Sequence, residues 1–176
     1  MKLTLVRHTS VACGSTICYG QSDVDVSTTF EAEAQAVKQQ IMGKSFDAVF
    51  SSPLQRCLKL VDYCGFQHPT WDKRLMELNF GDWEMTPWNE ITDPKLEKWY
   101  VDWVNEKTTN GESFSDQIQR VENFLKELKT SNYQQVLIFA HAGVIRAVAI
   151  LLGLVDIHQA FSDYKVEYGE IHNFDL

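Results

Sequence analysis

The chain has 176 residues, of which 16 are Lys or Arg and 24 are Asp or Glu, so its formal charge at pH 7 is −8. This acidic balance argues against a protein that coats nucleic acid or an anionic membrane. Apolar residues at 44% and aromatic residues at 12% argue against disorder. The length suits one folded domain, residues 1–176, with at most a small insertion.

The four cysteines form no C-x-x-C pair, which argues against a zinc ribbon or a dithiol redox site. The longest apolar run, residues 144–154, is interrupted by Arg146 and is too short to span a bilayer. The N-terminus has no apolar stretch of signal-peptide length. We therefore expect a cytoplasmic protein with reduced thiols and no membrane partner.

Three short apolar runs predict strands that are buried on both faces, and they lie at residues 3–6, 46–50 and 136–140. Apolar residues at helical spacing predict four helices, at residues 30–41, 54–64, 114–128 and 144–152. Strands that alternate with helices predict an α/β fold, a three-layer α/β/α sandwich with a mostly parallel central sheet.

Two of these helices carry end signals. Ser52 is the expected N-cap of the second helix, with Pro53 as its first residue and Gly65 just past its end. Ser113 starts the third helix, and Asp116 follows at the spacing of a capping box.

The segment from about residue 71 to residue 110 breaks the alternation and holds all five tryptophans. We interpret it as an insertion or lid packed on the sheet edge. Core packing is the expected role of most of these tryptophans, since Trp99, Tyr100 and Trp103 lie at helical spacing.

Charged side chains follow each predicted strand. Arg7 and His8 follow the first, a Ser-Ser-Pro turn with Arg56 follows the second, and His141 follows the third. In open α/β sheets, ligands bind outside the carboxyl ends of the strands. Two guanidinium forks, two imidazoles and the free N–H groups of helix N-termini together describe a site for a phosphoryl group.

Each of these residues also has a structural interpretation. A single histidine is usually structural, which we expect for His68, His158 and His172, and Arg146 is expected to pair with a carboxylate or to face solvent. Arginine and histidine directly after an apolar strand are different, because burial without partners costs several kcal/mol. Their occurrence at three strand ends therefore favours a functional site.

Four sequence blocks resemble the histidine phosphatase superfamily, which has the phosphoglycerate mutase-like fold. They are LVRH at 5–8, SSPLQR at 51–56, LMELNFGDWE at 75–84 and AHAGVIR at 140–146. The blocks come in the order found in that family and span nearly the whole chain. Within the family, residues 80–85, 109–114 and 119–121 resemble the subgroup that hydrolyses α-ribazole 5′-phosphate in cobalamin assembly.

The resemblance implies a phosphomonoesterase that transfers the phosphoryl group to a histidine. His8 would be the nucleophile, and Arg7, Arg56 and His141 would stabilise the charge on the transferred group. Glu77 would protonate the leaving oxygen and then deprotonate a water molecule. Neither a metal nor a cofactor is implied.

The blocks depart from the family pattern after His8. Thr9 stands where the family usually has glycine, so the backbone there must accept a β-branched residue. Gly14 stands where the family often has a phosphate-binding asparagine. We expect Ser15 or Gln21 to supply the missing contact.

Two further residues complete the expected substrate site. Ala142 follows His141 at the start of a helix, and Trp83, beside the Glu77 block, is the candidate to stack on an aromatic base. The expected partner is a small phosphorylated metabolite, bound by a monomer or homodimer.

The sequence is also compatible with different assignments. Glu84 lies close to Glu77 and is a competing carboxylate. The run from Asp23 to Ser27 mimics the aspartate-nucleophile motif of magnesium-dependent phosphatases, although no apolar strand precedes it. At the level of function, the chain could be a phosphatase for a different small metabolite, a mutase of the same superfamily, or a non-enzymatic anion-binding module.

Overall fold

A computed structural model describes all residues from Met1 to Leu176, and its centre is a five-stranded sheet. The strands are β1 Lys2–Arg7, β2 Ala48–Ser51, β3 Thr70–Trp71, β4 Gln135–Ala140 and β5 Ile171–Asp175. They lie in the order β3-β2-β4-β1-β5, in which β5 alone is antiparallel to its neighbour. The predicted mostly parallel sheet is thus confirmed.

Five α-helices accompany the sheet, and they are α1 Phe30–Ile41, α2 Gln55–Cys64, α3 Lys95–Val101, α4 Phe114–Lys129 and α5 Ala142–Leu151. One apolar core joins α1 and α2 to one face of β1 and β4, through residues such as Val37, Leu60 and Phe139. A second core joins α4 and α5 to the opposite face, through residues such as Phe124 and Ile138. The two cores make the predicted three layers.

The sequence pattern did not predict β3 or β5. β3 has two residues, which is too short for a periodic signal. β5 has the sequence IHNFD, in which only Phe174 is fully buried, because the strand lies at the edge of the sheet.

The predicted start of α2 is wrong by two residues. The helix begins at Gln55, and Ser52 is not its N-cap, because the Ser52 hydroxyl bonds the imidazole of His141 instead. Asp23, from a distant loop, accepts the Gln55 backbone N–H at 2.7 Å and caps the helix from outside. Asp23 thus lies in a helix-capping loop and does not follow a strand.

The other predicted helix ends are confirmed. Gly65 follows α2 in the left-handed conformation, with φ of 90°, which glycine adopts without strain. Ser113 and Asp116 form a reciprocal capping box at the start of α4. This box places Gln117, in the first turn of α4, beside the carboxyl ends of the strands.

The Trp-rich segment, residues 71–110, consists mainly of short 3₁₀ turns and α3. Its first residue, Trp71, belongs to β3 and is largely exposed. Further along, Trp83, Trp88 and Trp99 pack together with Phe80 in an aromatic cluster. No helix of the protein has both the length and the apolar character needed to cross a membrane.

Candidate active site

His8 follows β1 directly and is almost completely buried at the base of a pocket. Its Nδ1 lies 2.7 Å from the Thr9 carbonyl oxygen, which can only accept a hydrogen bond, so Nδ1 carries the hydrogen. The lone pair of the neutral ring therefore lies on Nε2. Burial, followed by the charge of Arg56, holds the pKa of His8 well below its usual value of 6.5. His8 is thus a neutral imidazole with a free nitrogen at neutral pH.

His141 follows β4 and lies edge-on to His8, with 5.0 Å between the ring centroids. Its Nε2 lies 2.8 Å from the Ser52 hydroxyl oxygen. We assign the hydroxyl as the donor, because it has no other acceptor, and Nδ1 then carries the hydrogen of the neutral ring. Burial, followed by the charge of Arg56, lowers the pKa of His141 well below 6.5. His141 can therefore act as a neutral hydrogen-bond donor.

Arg7 and Arg56 are both held by backbone carbonyls. Arg7 donates to the Val166 carbonyl and lies over the ring of Tyr168, with 3.7 Å from its guanidinium carbon to the ring centroid. Arg56 is completely buried and donates to the carbonyls of Gly20 and Ser22. These bonds fix both guanidinium groups near the two imidazoles. Arg7 and His8 line the pocket, whereas Arg56 and His141 are completely buried behind its lining.

Among the site arginines, His141 and Thr9, four buried polar atoms have no hydrogen-bond partner in the protein. They are Nε of Arg7, Nε of Arg56, Nδ1 of His141 and the hydroxyl oxygen of Thr9. Buried polar groups are normally paired, and unpaired ones cluster at functional sites. All four groups can donate a hydrogen bond, which is the chemistry that binds the oxygen atoms of a phosphoryl group.

Glu77 lines the same pocket as His8. Its Oε1 accepts from the Leu78 backbone N–H at 3.0 Å and from Gln117 Nε2 at 2.9 Å, and its Oε2 accepts from the Gly143 backbone N–H at 3.1 Å. The carboxylate is thus held at the N-terminus of α5. Oε1 accepts two hydrogen bonds and Oε2 accepts one, so Oε2 keeps one more lone pair free of hydrogen bonds. Oε2 is the oxygen that is open to exchange a proton.

Glu84, the competing carboxylate, has a structural role. It accepts backbone N–H groups of Gln21, Ser22 and Phe80, and it does not line the pocket. Gln21 does not line the pocket either, and its amide donates to the Glu77 carbonyl at 3.1 Å. Gln21 therefore supports the loop that carries Glu77, whereas Ser15 does line the pocket.

The pocket has a volume of about 240 Å³. Its aromatic lining consists of Tyr19, Phe80, Trp88, Phe161 and Tyr168. The hydroxyls of Tyr19 and Tyr168 are 2.8 Å apart and join two loops at this pocket.

The structure does not support the expectation that Trp83 stacks on a substrate. Trp83 is 2% exposed, lies outside the pocket, and donates its indole N–H to Asp93 at 2.7 Å. It packs edge-on against Trp99 in the aromatic cluster. The tryptophan that reaches the pocket is Trp88, five residues further along the chain.

Arg146 differs from its predicted role as a surface or ion-paired residue. It lines the pocket, donates to the carbonyls of Ala160 and Tyr164, and lies 4.5 Å from the ring centroid of Phe161. Burial lowers its pKa. The helical spacing from Gly143 to Arg146 on α5 is the sequence signal that could have placed it here.

Gln117 is a further pocket residue that sequence reasoning missed. It is completely buried, lines the pocket and bonds Glu77, while its own Oε1 has no partner. The available signal is a polar residue on the apolar face of α4, one helical turn after Phe114. Ala142, by contrast, is buried at the first position of α5 and does not line the pocket.

The site thus combines a neutral imidazole that has a free nitrogen, fixed guanidinium groups near it, and a carboxylate in the same pocket. These groups are the ones that phosphoryl transfer through histidine requires.

Comparisons with known proteins point to the same class. The family model described as "Histidine phosphatase superfamily (branch 1)" matches residues 3–175. Adenosylcobalamin/alpha-ribazole phosphatase of Escherichia coli K12 is 30% identical over 178 residues, covering 96% of this chain and 87% of that protein. Phosphoserine phosphatase 1 of Hydrogenobacter thermophilus is 27% identical over 98% of this chain and 86% of its own length.

A solved structure is similar over the whole length. The crystal structure of the alpha-ribazole phosphatase from Shigella flexneri superposes with a TM-score of 0.90 and 27% identity, covering 100% of this chain and 91% of that one. The chain therefore belongs to the histidine phosphatase superfamily, and it is a histidine-dependent phosphatase of the phosphoglycerate mutase-like fold.

Proposed function

We propose that this protein hydrolyses α-ribazole 5′-phosphate to α-ribazole and phosphate, with His8 as the nucleophile. The observation that carries the proposal is the placement of His8 and Glu77 in one pocket whose walls also include five aromatic residues. The unpaired buried donors of Arg7, Arg56 and His141, of which Arg7 lines the pocket, support a phosphate beside His8.

In the first step, Nε2 of His8 attacks phosphorus while the bond from phosphorus to the ester oxygen breaks. Glu77 acts in its acid form and gives its proton from Oε2 to the leaving oxygen. The negative charge on the transferred group is stabilised by the two guanidinium groups and by Nδ1–H of His141. Since His8 stays neutral in its buried setting, its nucleophilic nitrogen needs no prior deprotonation.

In the second step, the Glu77 carboxylate removes a proton from a water molecule, whose oxygen attacks the phosphorus of phospho-His8. The bond from phosphorus to nitrogen breaks, phosphate leaves, and the neutral imidazole and the protonated Glu77 are restored. Glu77 thus acts as acid and then as base from one position, which its three hydrogen bonds fix.

Two facts support α-ribazole 5′-phosphate among small phosphate esters. Relatives that carry the name alpha-ribazole phosphatase match nearly the whole chain. The pocket also offers Tyr19, Phe80 and Trp88 to an aromatic base. The stacking role expected of Trp83 is therefore proposed for Trp88.

A second candidate substrate is a phosphorylated amino or hydroxy acid. Arg146 places a cation in the pocket wall where a carboxylate of such a substrate could bind. The relative named phosphoserine phosphatase 1 is consistent with this class. Mutase activity is the third candidate within the superfamily.

Phosphate release from α-ribazole 5′-phosphate, phosphoserine and 3-phosphoglycerate tests the proposal. We expect α-ribazole 5′-phosphate to have the highest kcat/KM, and His8→Ala to lose at least about 10³-fold in activity together with an acid-labile phosphoenzyme. His158→Ala changes an exposed histidine that does not line the pocket, and this control should keep wild-type rates. Equal rates on all three esters would contradict the assignment of α-ribazole 5′-phosphate as the substrate. An active His8→Ala variant would contradict the proposed role of His8 as the nucleophile.

We also propose a cytoplasmic location, and a monomeric or homodimeric state. These stay predictions, as does the interpretation of residues 71–110 as a lid.

A further inference from the structure

A second cavity adjoins the pocket that contains His8 and Glu77. It has a volume of about 210 Å³ and is lined by six side chains, all of them apolar or aromatic. They are Leu78, Phe80, Trp99, Trp103, Phe114 and Phe161. We call this space the apolar cavity.

The apolar cavity shares part of its wall with the candidate active site. Leu78, Phe80 and Phe161 line both spaces. Leu78 is also the residue that follows Glu77 and donates its backbone N–H to the Glu77 carboxylate. The shared wall therefore lies beside the carboxylate that would protonate the leaving oxygen.

The position of Glu77 determines which part of a substrate faces the apolar cavity. In an in-line transfer, the leaving oxygen lies opposite the attacking His8 nitrogen and next to the acid that protonates it. The alcohol part of the ester thus extends from the Glu77 side of the phosphate, next to Leu78, which lines the apolar cavity.

The walls define the chemistry of a ligand. A 150 Å³ apolar cavity is large enough to bind benzene, so about 210 Å³ accommodates a planar ring system with small substituents. Trp103 and Phe114 pack around Phe161, with ring centroids 4.6 Å and 5.2 Å from it. Phe161 is nevertheless 49% exposed, so a ring placed here would bury aromatic surface that water now contacts.

We propose that the apolar cavity is a specificity subsite that binds a planar aromatic group carried by the alcohol of the substrate. The proposal rests on the phosphomonoesterase function argued above, and it extends the aromatic recognition from Trp88 and Phe80 in the pocket to the adjoining cavity, which shares Phe80. Trp103 and Phe114 do not line the pocket that contains His8 and Glu77. The proposal adds them to the residues that select the substrate. Serine or glycerate esters carry no group that could fill this space.

The test compares two esters that share the phosphate and the ribose. α-Ribazole 5′-phosphate carries an aromatic base and ribose 5-phosphate does not. We expect the ratio of their kcat/KM values to exceed about 100 in the wild type and to fall about tenfold in Trp103→Ala, which removes one aromatic wall. Trp103→Phe should restore most of the ratio, because it restores an aromatic face.

Tyr100→Ala is the matched control, because Tyr100 is a nearby aromatic residue that is 58% exposed and lies outside the apolar cavity. It should keep the wild-type ratio. A wild-type ratio near 1, or a Trp103→Ala variant in which both esters lose activity equally, would overturn the subsite.

A binding measurement separates the failure of the subsite from the failure of the proposed function. Calorimetric titration with α-ribazole, which has no phosphate, should show binding that weakens at least fivefold in Trp103→Ala and not in Tyr100→Ala. Binding without hydrolysis of the phosphate ester would refute the function and retain the subsite. Hydrolysis of both esters at equal rates, without α-ribazole binding, would refute the subsite and retain the phosphatase.

Discussion

Gln117 orients the carboxylate of Glu77, which we propose as the group that transfers the proton. Its amide donates to Glu77 Oε1, which also accepts the Leu78 N–H, while Oε2 accepts only the Gly143 N–H. The second donor on Oε1 leaves Oε2 as the oxygen with spare capacity. We infer that Gln117 is a positioning residue that aims Oε2 of Glu77 at the substrate.

Replacement of Gln117 with leucine is expected to lower kcat about 10- to 100-fold with little change in KM. The proton-transfer group loses its orientation, whereas the phosphate ligands remain in place. The melting temperature should change little, because the loss of the hydrogen bond to Glu77 is offset by the removal of a buried Oε1 that has no partner. Steady-state kinetics and thermal unfolding check both expectations.

The control for this variant is Gln119→Leu, which changes an exposed glutamine two residues further along the same helix. Its kcat should equal that of the wild type. Gln117 would have no positioning role if the two leucine variants had the same kcat, or if Gln117→Leu raised KM alone.

At this scale, the sequence predicted the positions of candidate site residues that lie at the ends of strands. Arg7, His8 and His141 follow apolar strands, and parallel strands end at the same edge of the sheet. Gln117 and Arg146 lie on helices, where the pocket-facing position depends on how each helix packs on the sheet. Trp83 and Trp88 could not be told apart, because which of them faces the pocket depends on turns in the segment that carries them.

Among the elements, the N-terminus of α5 has the closest contact with the candidate site. A Cβ atom on Gly143 would lie 2.2 Å from Glu77 Oε1 and 2.7 Å from Gln117 Oε1. Both distances are shorter than any real contact, so glycine is required for the helix end to approach the carboxylate. The same approach lets the Gly143 N–H bond Glu77.

Gly143→Ala is therefore expected to displace Glu77 and lower kcat/KM by about 100-fold, since a displacement of about 1 Å can have that effect. Gly65→Ala is the matched control. Gly65 has a left-handed φ of 90° with no atom near its Cβ position, so alanine there should lower stability by about 1 kcal/mol and leave kcat/KM unchanged. An active Gly143→Ala variant would show that the close approach is not needed.

The elements that were predicted correctly are those whose apolar pattern lies within one short stretch of sequence. The apolar spacing of α1 and α4 and the apolar runs of β1 and β4 report burial directly. The start of α2 could not be predicted, because its cap, Asp23, is 32 residues away in sequence. A cap of this kind exists only once the loops are in place, so no local motif encodes it.

At the scale of the whole molecule, the charge of −8 surrounds a site that contains buried cationic and neutral groups. Arg56 is completely buried, and its charge contributes to the low pKa values of both His8 and His141. The molecule thus keeps two imidazoles neutral inside an acidic protein, where the exposed carboxylates alone would favour protonation. This arrangement affects the stability of the folded state as well as its chemistry.

The free energy of unfolding should decrease as the pH falls below about 6.5. In the unfolded chain, His8 and His141 take up protons near pH 6.5, while in the folded chain burial holds both pKa values well below that. The unfolded state then binds more protons, and each histidine lowers stability by about 1.4 kcal/mol per pH unit until its folded pKa is reached. Above pH 6.5 both states are neutral at these positions, and the contribution vanishes.

The net charge acts in the opposite direction over the same range. The sequence pI is about 5.0, so acidification from pH 7 to pH 5 reduces the repulsion between surface carboxylates and by itself favours the folded state. Urea unfolding between pH 5 and pH 7.5 separates the two effects. His141→Asn should reduce the dependence of stability on pH by about 1.4 kcal/mol per unit below pH 6.5, and His158→Asn, at an exposed position, should not. A wild type whose stability increases steadily down to pH 5 would mean that surface charge outweighs the buried imidazoles.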